Sequence, residues 1–185
     1  LNIGEYKNRD QYLAESVAQV DRLAAMVNDV LRSGSVAEQA LRQEKRLRID
    51  KLIAEVVADY TLLAKTRSMT FMVNTEPTTI RANRDMMRHV ISNLVSNAVR
   101  HGDAGSVITI TCDQRELAIE NACKPLTKQQ LQHVFDPFYR SNATTKQHAD
   151  SSGIGLYTVK MLLGTKGLDY DFTPHGRGMR FVVRL

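Results

Sequence analysis

The sequence predicts an α+β fold: a two-layer α/β sandwich, in which a mixed, largely antiparallel sheet is covered by helices on one face, with a long N-terminal amphipathic helix in front of it. Three observations predict it. Alternating strand-like runs and helix-like runs interleave through residues 46–185 instead of segregating. Neighbouring strands are often joined by short turns such as Asp113-Gln114, which makes antiparallel hairpins. The helical runs are apolar along one stripe only, as expected of helices that lie on a sheet.

Taken in order, Lys7 to Arg32 reads as the amphipathic helix. Leu13, Val17, Val20, Leu23 or Ala24, Val27 and Val30 alternate spacings of three and four, the seam of a coiled coil or helical bundle. Asn8 or Asp10 suits its start, and Ser33-Gly34-Ser35 ends it. One helix cannot bury such a stripe alone, so it calls for a partner helix. Residues 35–45 are charged and weakly patterned, and read as a linker. Arg46 to Ile49 alternates as a short strand, and Asp50 is expected to cap a helix carrying Leu52, Ile53, Val56, Val57, Tyr60 and Leu63 on one face. Met69 to Val73 and Thr79 to Arg81 read as strands around a turn at Pro77. A helix through Arg88 to Gly102 follows, with Gly102 and Gly105 as its stop. Val107 to Cys112 and Glu116 to Glu120 form the hairpin. Thr127 to His133 suits a short helix and Gly155 to Leu163 a longer one. Asp169 to Thr173 and Met179 to Leu185 close the domain around a turn at Pro174 to Gly178.

Composition narrows the function. The chain is 43% hydrophobic and 24% charged, within the range of a soluble globular protein. No apolar run approaches a membrane span, nothing at the start reads as a signal peptide, and the abrupt start at Leu1 suggests a piece of something longer. Cys112 and Cys123 lack metal-ligand spacing and read as free thiols in a reducing compartment. The net charge of +5 comes from scattered residues, Trp is absent and no aromatic residues interleave with basic ones, so no nucleic-acid partner is expected. A phosphate-bearing small molecule or an acidic protein accounts for the charge equally well.

The chemistry centres on R-H-V-I-S-N-L-V-S-N-A-V-R-H-G, Arg88 to Gly102. Val90, Ile91, Leu94, Val95 and Ala98 make a buried face. His89, Asn93, Asn97 and Arg100 make a polar stripe beside it. Asparagine is a mediocre helix former, so two of them a turn apart need a reason. Two readings stand at this point. The amides are satisfied border residues, or an amide oxygen is a neutral hard ligand for Mg2+, with Arg100 facing the phosphates that complete the shell. Further on, Ser152-Gly153-Ile154-Gly155-Leu156 joins a polar loop to a helix start, where free N–H groups and the helix dipole favour an anion. Two spaced glycines also make a plain turn. The loop before them, Ser141 to Ser152, has no aliphatic anchor, is expected to be mobile when empty, and carries Lys146 and His148. It reads as a lid over a nucleotide or as a solvated surface loop.

In order, these pieces resemble the catalytic ATP-binding domain of sensor histidine kinases, within the wider group of gyrase-type ATPases and large heat-shock chaperones. N-L-V-S-N-A-V-R-H-G resembles the asparagine box, F-D-P-F-Y-R the phenylalanine box, and S-S-G-I-G-L-Y-T-V-K the second glycine box. The resemblance covers residues 46–185. Residues 1–34, with Y-K-N-R-D-Q-Y-L leading into the seam, are similar to the second helix of a dimerisation and histidine-phosphotransfer hairpin whose first helix is absent. The resemblance implies ATP and Mg2+ as cofactors, with Asn97 as the metal ligand and Asn93 lining the same site. It implies Arg100 and His101 at phosphates or ribose, Arg140 and Lys146 at the terminal phosphate, and Ser152, Gly153, Ile154, Gly155 and Leu156 at the phosphate-binding helix start. Asn93, Arg100 and Arg140 are the residues it implies for catalysis. It further implies transfer of the γ-phosphoryl group to a histidine on the chain's own or a partner's hairpin, and from there to an aspartate of a response regulator. The full-length protein is expected to be a homodimer whose cytoplasmic portion hangs from a membrane-anchored sensor.

Two departures from the family pattern stand out. Where its first glycine box has an adenine-reading aspartate and two glycines, this chain has Asn121-Ala122-Cys123-Lys124-Pro125, so Asn121 and Pro125 line the adenine end. Ser151 stands where a glycine is usual in the second glycine box. None of His89, His101, His133, His148 or His175 has the context of the family's phosphoacceptor, which is therefore expected outside this chain. Two alternatives carry a different function: a degenerate nucleotide-binding or scaffolding module of the same fold, favoured by the altered adenine loop, and a serine kinase acting on an anti-sigma antagonist, disfavoured by the leading helix.

Overall fold

The computed structural model describes residues 12–13, 16–17, 20, 44–140 and 153–185. Residues 12–13, 16–17 and 20 are helical, and the seam residues among them, Leu13, Val17 and Val20, are all exposed. The rest of the leading helix lies outside the described residues.

The described elements of the main domain are β1 (Lys45–Arg48), α1 (Ile49–Thr66), β2 (Thr70–Thr75), β3 (Thr79–Ala82), α2 (Arg84–His101), β4 (Val107–Cys112), β5 (Glu116–Ala122), α3 (Lys128–His133), α4 (Gly155–Lys166), β6 (Tyr170–His175) and β7 (Gly178–Arg184). Five strands form one sheet in the order β2-β4-β5-β7-β6, and β1 pairs with β3 separately. β2 and β4 run parallel; every other neighbouring pair is antiparallel. The mixed, largely antiparallel sheet expected from the sequence is therefore present, with hairpins at β4–β5 and β6–β7.

Period-2 alternation fixes which side chains turn inward. Ile108, Ile110 and Cys112 of β4, Leu117 and Ile119 of β5, and Phe181 and Val183 of β7 are buried in one cluster with residues of α1, α2 and α4. The opposite face of the sheet carries an ion-pair ladder: Arg180 lies 2.8 Å from Glu116 and 3.3 Å from Glu120, and Arg184 pairs with Asp171. Helices thus cover one face and charges solvate the other.

α2 is the central helix. No residue from Met86 to His101 is exposed, because α1 flanks one side and α4 the other. Asn83 caps it by accepting the Met86 N–H at 3.0 Å. Arg84 pairs with Glu55, and Arg88 pairs with both Glu55 and Asp59 (2.6 Å), locking α2 beside α1.

Several local expectations are corrected. Asp50 does not cap α1: the cap position is Arg48, and Asp50 sits in the first turn, taking a bidentate pair from Arg48 (2.8 and 2.6 Å) and the Thr78 N–H at 3.3 Å. Leu63 is not on the buried face of α1; it is 41% exposed, and Ala64 is the buried residue of that turn. Pro174 lies within β6 and not in the turn after it. β6 is an edge strand, where a missing N–H costs no ladder bond. Gly102, by contrast, ends α2 as expected, with a φ of −67°.

Candidate functional site

The polar stripe of α2 leads to the site. His89, Asn93, Asn97 and Arg100 are all half-buried, as is His101. They sit on the helix flank between its core face and its surroundings, where the spacing rule puts them.

The start of α4 meets this stripe at Asn93. A Cβ on Gly155 would lie 3.2 Å from Asn93 Oδ1, so the glycine leaves the carboxamide room that an alanine would press on. Ile154 occupies the cap position and makes no side-chain cap hydrogen bond. The N-terminus of a helix favours an anion through its dipole, and a carboxamide oxygen beside it suits an accompanying cation. Ile154 itself is 1% exposed, so its side chain belongs to the interior and it serves the site through its backbone. Leu156 is half-buried two positions on.

The stretch Phe135 to Arg140 divides into two halves. Phe135 packs edge-on against Tyr170 (5.3 Å between centroids) and against Phe172 and Phe181, anchoring the segment to β6 and β7. Phe138 faces outward, 56% exposed, with a φ of +66° that a bulky residue rarely adopts. Its N–H donates to the Gly153 carbonyl at 3.0 Å, and Gly153, with φ +70°, would bring a Cβ within 3.0 Å of the Phe138 backbone. This glycine is therefore obligatory for the contact. Arg140 is half-buried beside it. Lys146 and Ser152, both expected at the phosphates, lie outside the described residues, as does Ser151.

The adenine-side candidates lie where β5 ends. Asn121 pairs with Met179 in the β5–β7 ladder. Burial pushes the pKa of the neighbouring Cys123 thiol up, and the Asn121 side chain partly offsets the rise. Pro125 is exposed. Sequence reasoning missed Gly178 here: a Cβ on it would overlap the Asn121 carbonyl group, so β7 can pass under the adenine loop only as glycine. A glycine opening a strand is the sequence signal of such a close approach. Met179 was missed as well; its sulfur accepts the Leu126 N–H at 3.5 Å.

The structure thus brings Asn93, Gly155 and Ile154 together, keeps Asn97, Arg100 and His101 on the same helix, and sets Asn121 and Pro125 beyond the helix end. Among the described residues no group of three or more His, Cys, Asp or Glu could hold a metal ion. A divalent cation at α2 would draw on a carboxamide oxygen, ligand phosphates and water, the sparse protein coordination that Mg2+ tolerates. The half-buried amides of Asn93 and Asn97 fit that requirement.

The model of the histidine kinase-, DNA gyrase B- and HSP90-like ATPase family matches residues 82–185, which hold α2, the adenine-side strand and α4. The chain belongs to this ATPase family. Within it, the sensor histidine protein kinase HK06 of Streptococcus pneumoniae is 32% identical over 185 residues, which is 100% of this chain and 41% of that protein. The catalytic domain of histidine kinase ThkA superposes with a TM-score of 0.69, covering 77% of this chain and 95% of that one at 20% identity. ThkA in complex with the response regulator protein TrrA matches with a TM-score of 0.70 at 18% identity, covering 99% of this chain and 52% of that one. At these identities the two solved structures establish the shared fold, the α+β sandwich of the ATPase family. The chain spans less than half the length of HK06.

Proposed function

We propose that residues 46–185 are the ATP-binding kinase domain of a two-component sensor histidine kinase. The domain moves the γ-phosphoryl group of Mg-ATP to a histidine on a helical hairpin, from which it passes to an aspartate of a response regulator. The observation that carries this reading is the close approach of the Asn93 carboxamide to the start of α4, where a Cβ on Gly155 would lie 3.2 Å from Asn93 Oδ1. Phosphoryl transfer asks for positioning and charge neutralisation more than covalent chemistry, and this junction supplies both.

In this reading Asn97 holds Mg2+ through its amide oxygen and Asn93 lines the same site. The cation, when bound, neutralises the phosphates. Arg100 and His101 reach phosphate or ribose, and Arg140 and Lys146 balance the terminal phosphate. The backbone N–H groups from Ser152 through Gly153, Ile154, Gly155 and Leu156 cradle the anion. Asn121 and Pro125 meet the base. Residues 1–34 are read as the second hairpin helix and 35–45 as a linker. The exposure of Leu13, Val17 and Val20 supports a missing helical partner and a homodimer in the full-length protein. No helix among the described residues is long and apolar enough to cross a membrane. ThkA, which shares the fold, has been captured with a response regulator, and that supports the same class of partner here.

A second reading, a nucleotide-binding module without turnover, draws support from the altered adenine loop, where the neutral Asn121 amide stands in place of a carboxylate. Calorimetry with Mg-ATP followed by addition of a histidine-bearing hairpin separates the two. Heat of binding with phosphohistidine formation is expected; binding without transfer by the intact parent protein favours the module, and no binding overturns both. Asn97→Ala is expected to remove the Mg-dependent part of the heat while the circular dichroism spectrum stays unchanged.

A further inference from the structure

We infer that Arg67 is a positioning residue for nucleotide binding: its guanidinium sets the spacing between the asparagine face of α2 and the adenine-side end of β5. The inference rests on the nucleotide-binding reading above.

The last carbonyls of a helix lack intrahelical partners and carry the negative end of its dipole. In α2 the Gly102 N–H still bonds the Ala98 carbonyl at 2.9 Å, but the next N–H, of Asp103, leaves the helix and donates to the Ala122 carbonyl at 2.8 Å. That bond ties the end of α2 to the end of β5. It also leaves the Val99 carbonyl without the N–H that would have continued the helix. Arg67, just beyond α1, fills the gap: Nη1 donates to Val99 O and Nη2 donates to Gly102 O at 2.9 Å. Its own carbonyl accepts the Gly105 N–H at 3.0 Å, so the same residue also fixes the loop leading into β4. A planar fork can serve two carbonyls at once; an ammonium cannot match that geometry.

The junction has no slack. Gly102 is buried, and a Cβ there would collide with the Met69 side chain and the Ala98 carbonyl. Along α2, Asn93 is nine residues before Gly102, about 13 Å at the rise of a helix. A ligand whose phosphates engage the asparagine face and whose base engages residues 121–125 spans this junction. Adenosine or tripolyphosphate touches one end only. The role of Arg67 therefore separates from general stability: it acts on ligands that bridge both ends.

The test titrates Mg-ATP, adenosine and Mg-tripolyphosphate against the wild-type chain, Arg67→Ala and Arg67→Lys, at a temperature where each is folded by circular dichroism. Arg67→Ala is expected to bind Mg-ATP about tenfold more weakly, a fraction of what a small misplacement of positioned groups can cost, with both one-ended ligands unchanged. Arg67→Lys is expected to fall between, and it carries the test if the alanine variant does not fold. Unchanged Mg-ATP affinity in the lysine variant, or equal weakening of all three ligands, overturns the positioning role. A wild-type chain that binds none of the three overturns the nucleotide reading and this inference with it.

Discussion

At the scale of single residues, Asp50 shows how one carboxylate ties several segments together. The guanidinium of Arg48 hydrogen-bonds it, the Thr78 N–H adds to the effect, and together they hold its pKa down to about 2. The folded-state value lies below the ordinary one, so the ionised group stabilises the fold. That contribution is complete above about pH 4 and is lost as the pH falls through about 2. Asp50→Asn is expected to lower the urea midpoint at neutral pH and to flatten the acid limb between pH 4 and pH 2. A variant whose acid limb matches the wild type in slope and position refutes the assignment. The two thiols differ by the same logic of burial. Cys112 is buried within the core cluster, and desolvation pushes its pKa up to about 11, so it remains a neutral thiol at physiological pH.

At the scale of elements, the meeting of β7 with the adenine loop is the tightest contact near the site. Gly178→Ala would drive a methyl group into the Asn121 carbonyl, and the strand would have to shift. The expected cost is about 3 kcal/mol, at the upper end for overpacking against backbone, read as a lower urea midpoint with an unchanged m-value. Mg-ATP affinity is expected to fall with it. An alanine variant with wild-type midpoint would show that β7 adjusts freely. Gly178 also marks the limit of what the sequence made legible. Elements with strong local periodicity, such as the apolar face of α2 and the alternation of β4, were readable because each residue's neighbours along the chain determine its environment. So were Asn93 and Asn97, whose polarity conflicts with their place on a helix. Arg67, Gly178 and Met179 were not, since their roles depend on residues 35, 57 and 53 positions away in Gly102, Asn121 and Leu126. The same applies to Asp50, which looked like a cap until Thr78 came beside it, and to Leu63, displaced from the core by Ala64.

At the scale of the whole molecule, the five-stranded sheet has two different ends. The nucleotide-side residues gather where β5 finishes, while the turn at Asp113 closes the opposite end, its carboxylate accepting the Arg115 and Glu116 N–H groups at 2.7 and 2.9 Å. The helical layer joins the ends through α2, which spans from the Asn83 cap to the Ala122 junction. On the proposed reading, that arrangement makes α2 a ruler along the candidate site: its asparagines, the helix start at Gly155 and the loop after β5 are all referenced to one element. Its apolar side, with Met86, Met87, Val90, Ile91, Leu94, Val95, Ala98 and Val99 all buried, is what keeps the ruler straight.

The sheet's two borders have a consequence for how the protein behaves in a concentrated solution. β6 ends the sheet on one side with Asp171, Pro174 and His175, residues that discourage another strand from adding on. β2 ends it on the other side as Thr-Phe-Met-Val-Asn-Thr, without a single charge, and with Met72 48% and Val73 38% exposed. One border is guarded and the other is open to strand addition. Clouding on concentration is therefore expected to begin at β2, and Met72→Lys, which places a charge on that border, is expected to raise the protein concentration at which light scattering sets in. An equal onset for variant and wild type would assign the clouding to another surface.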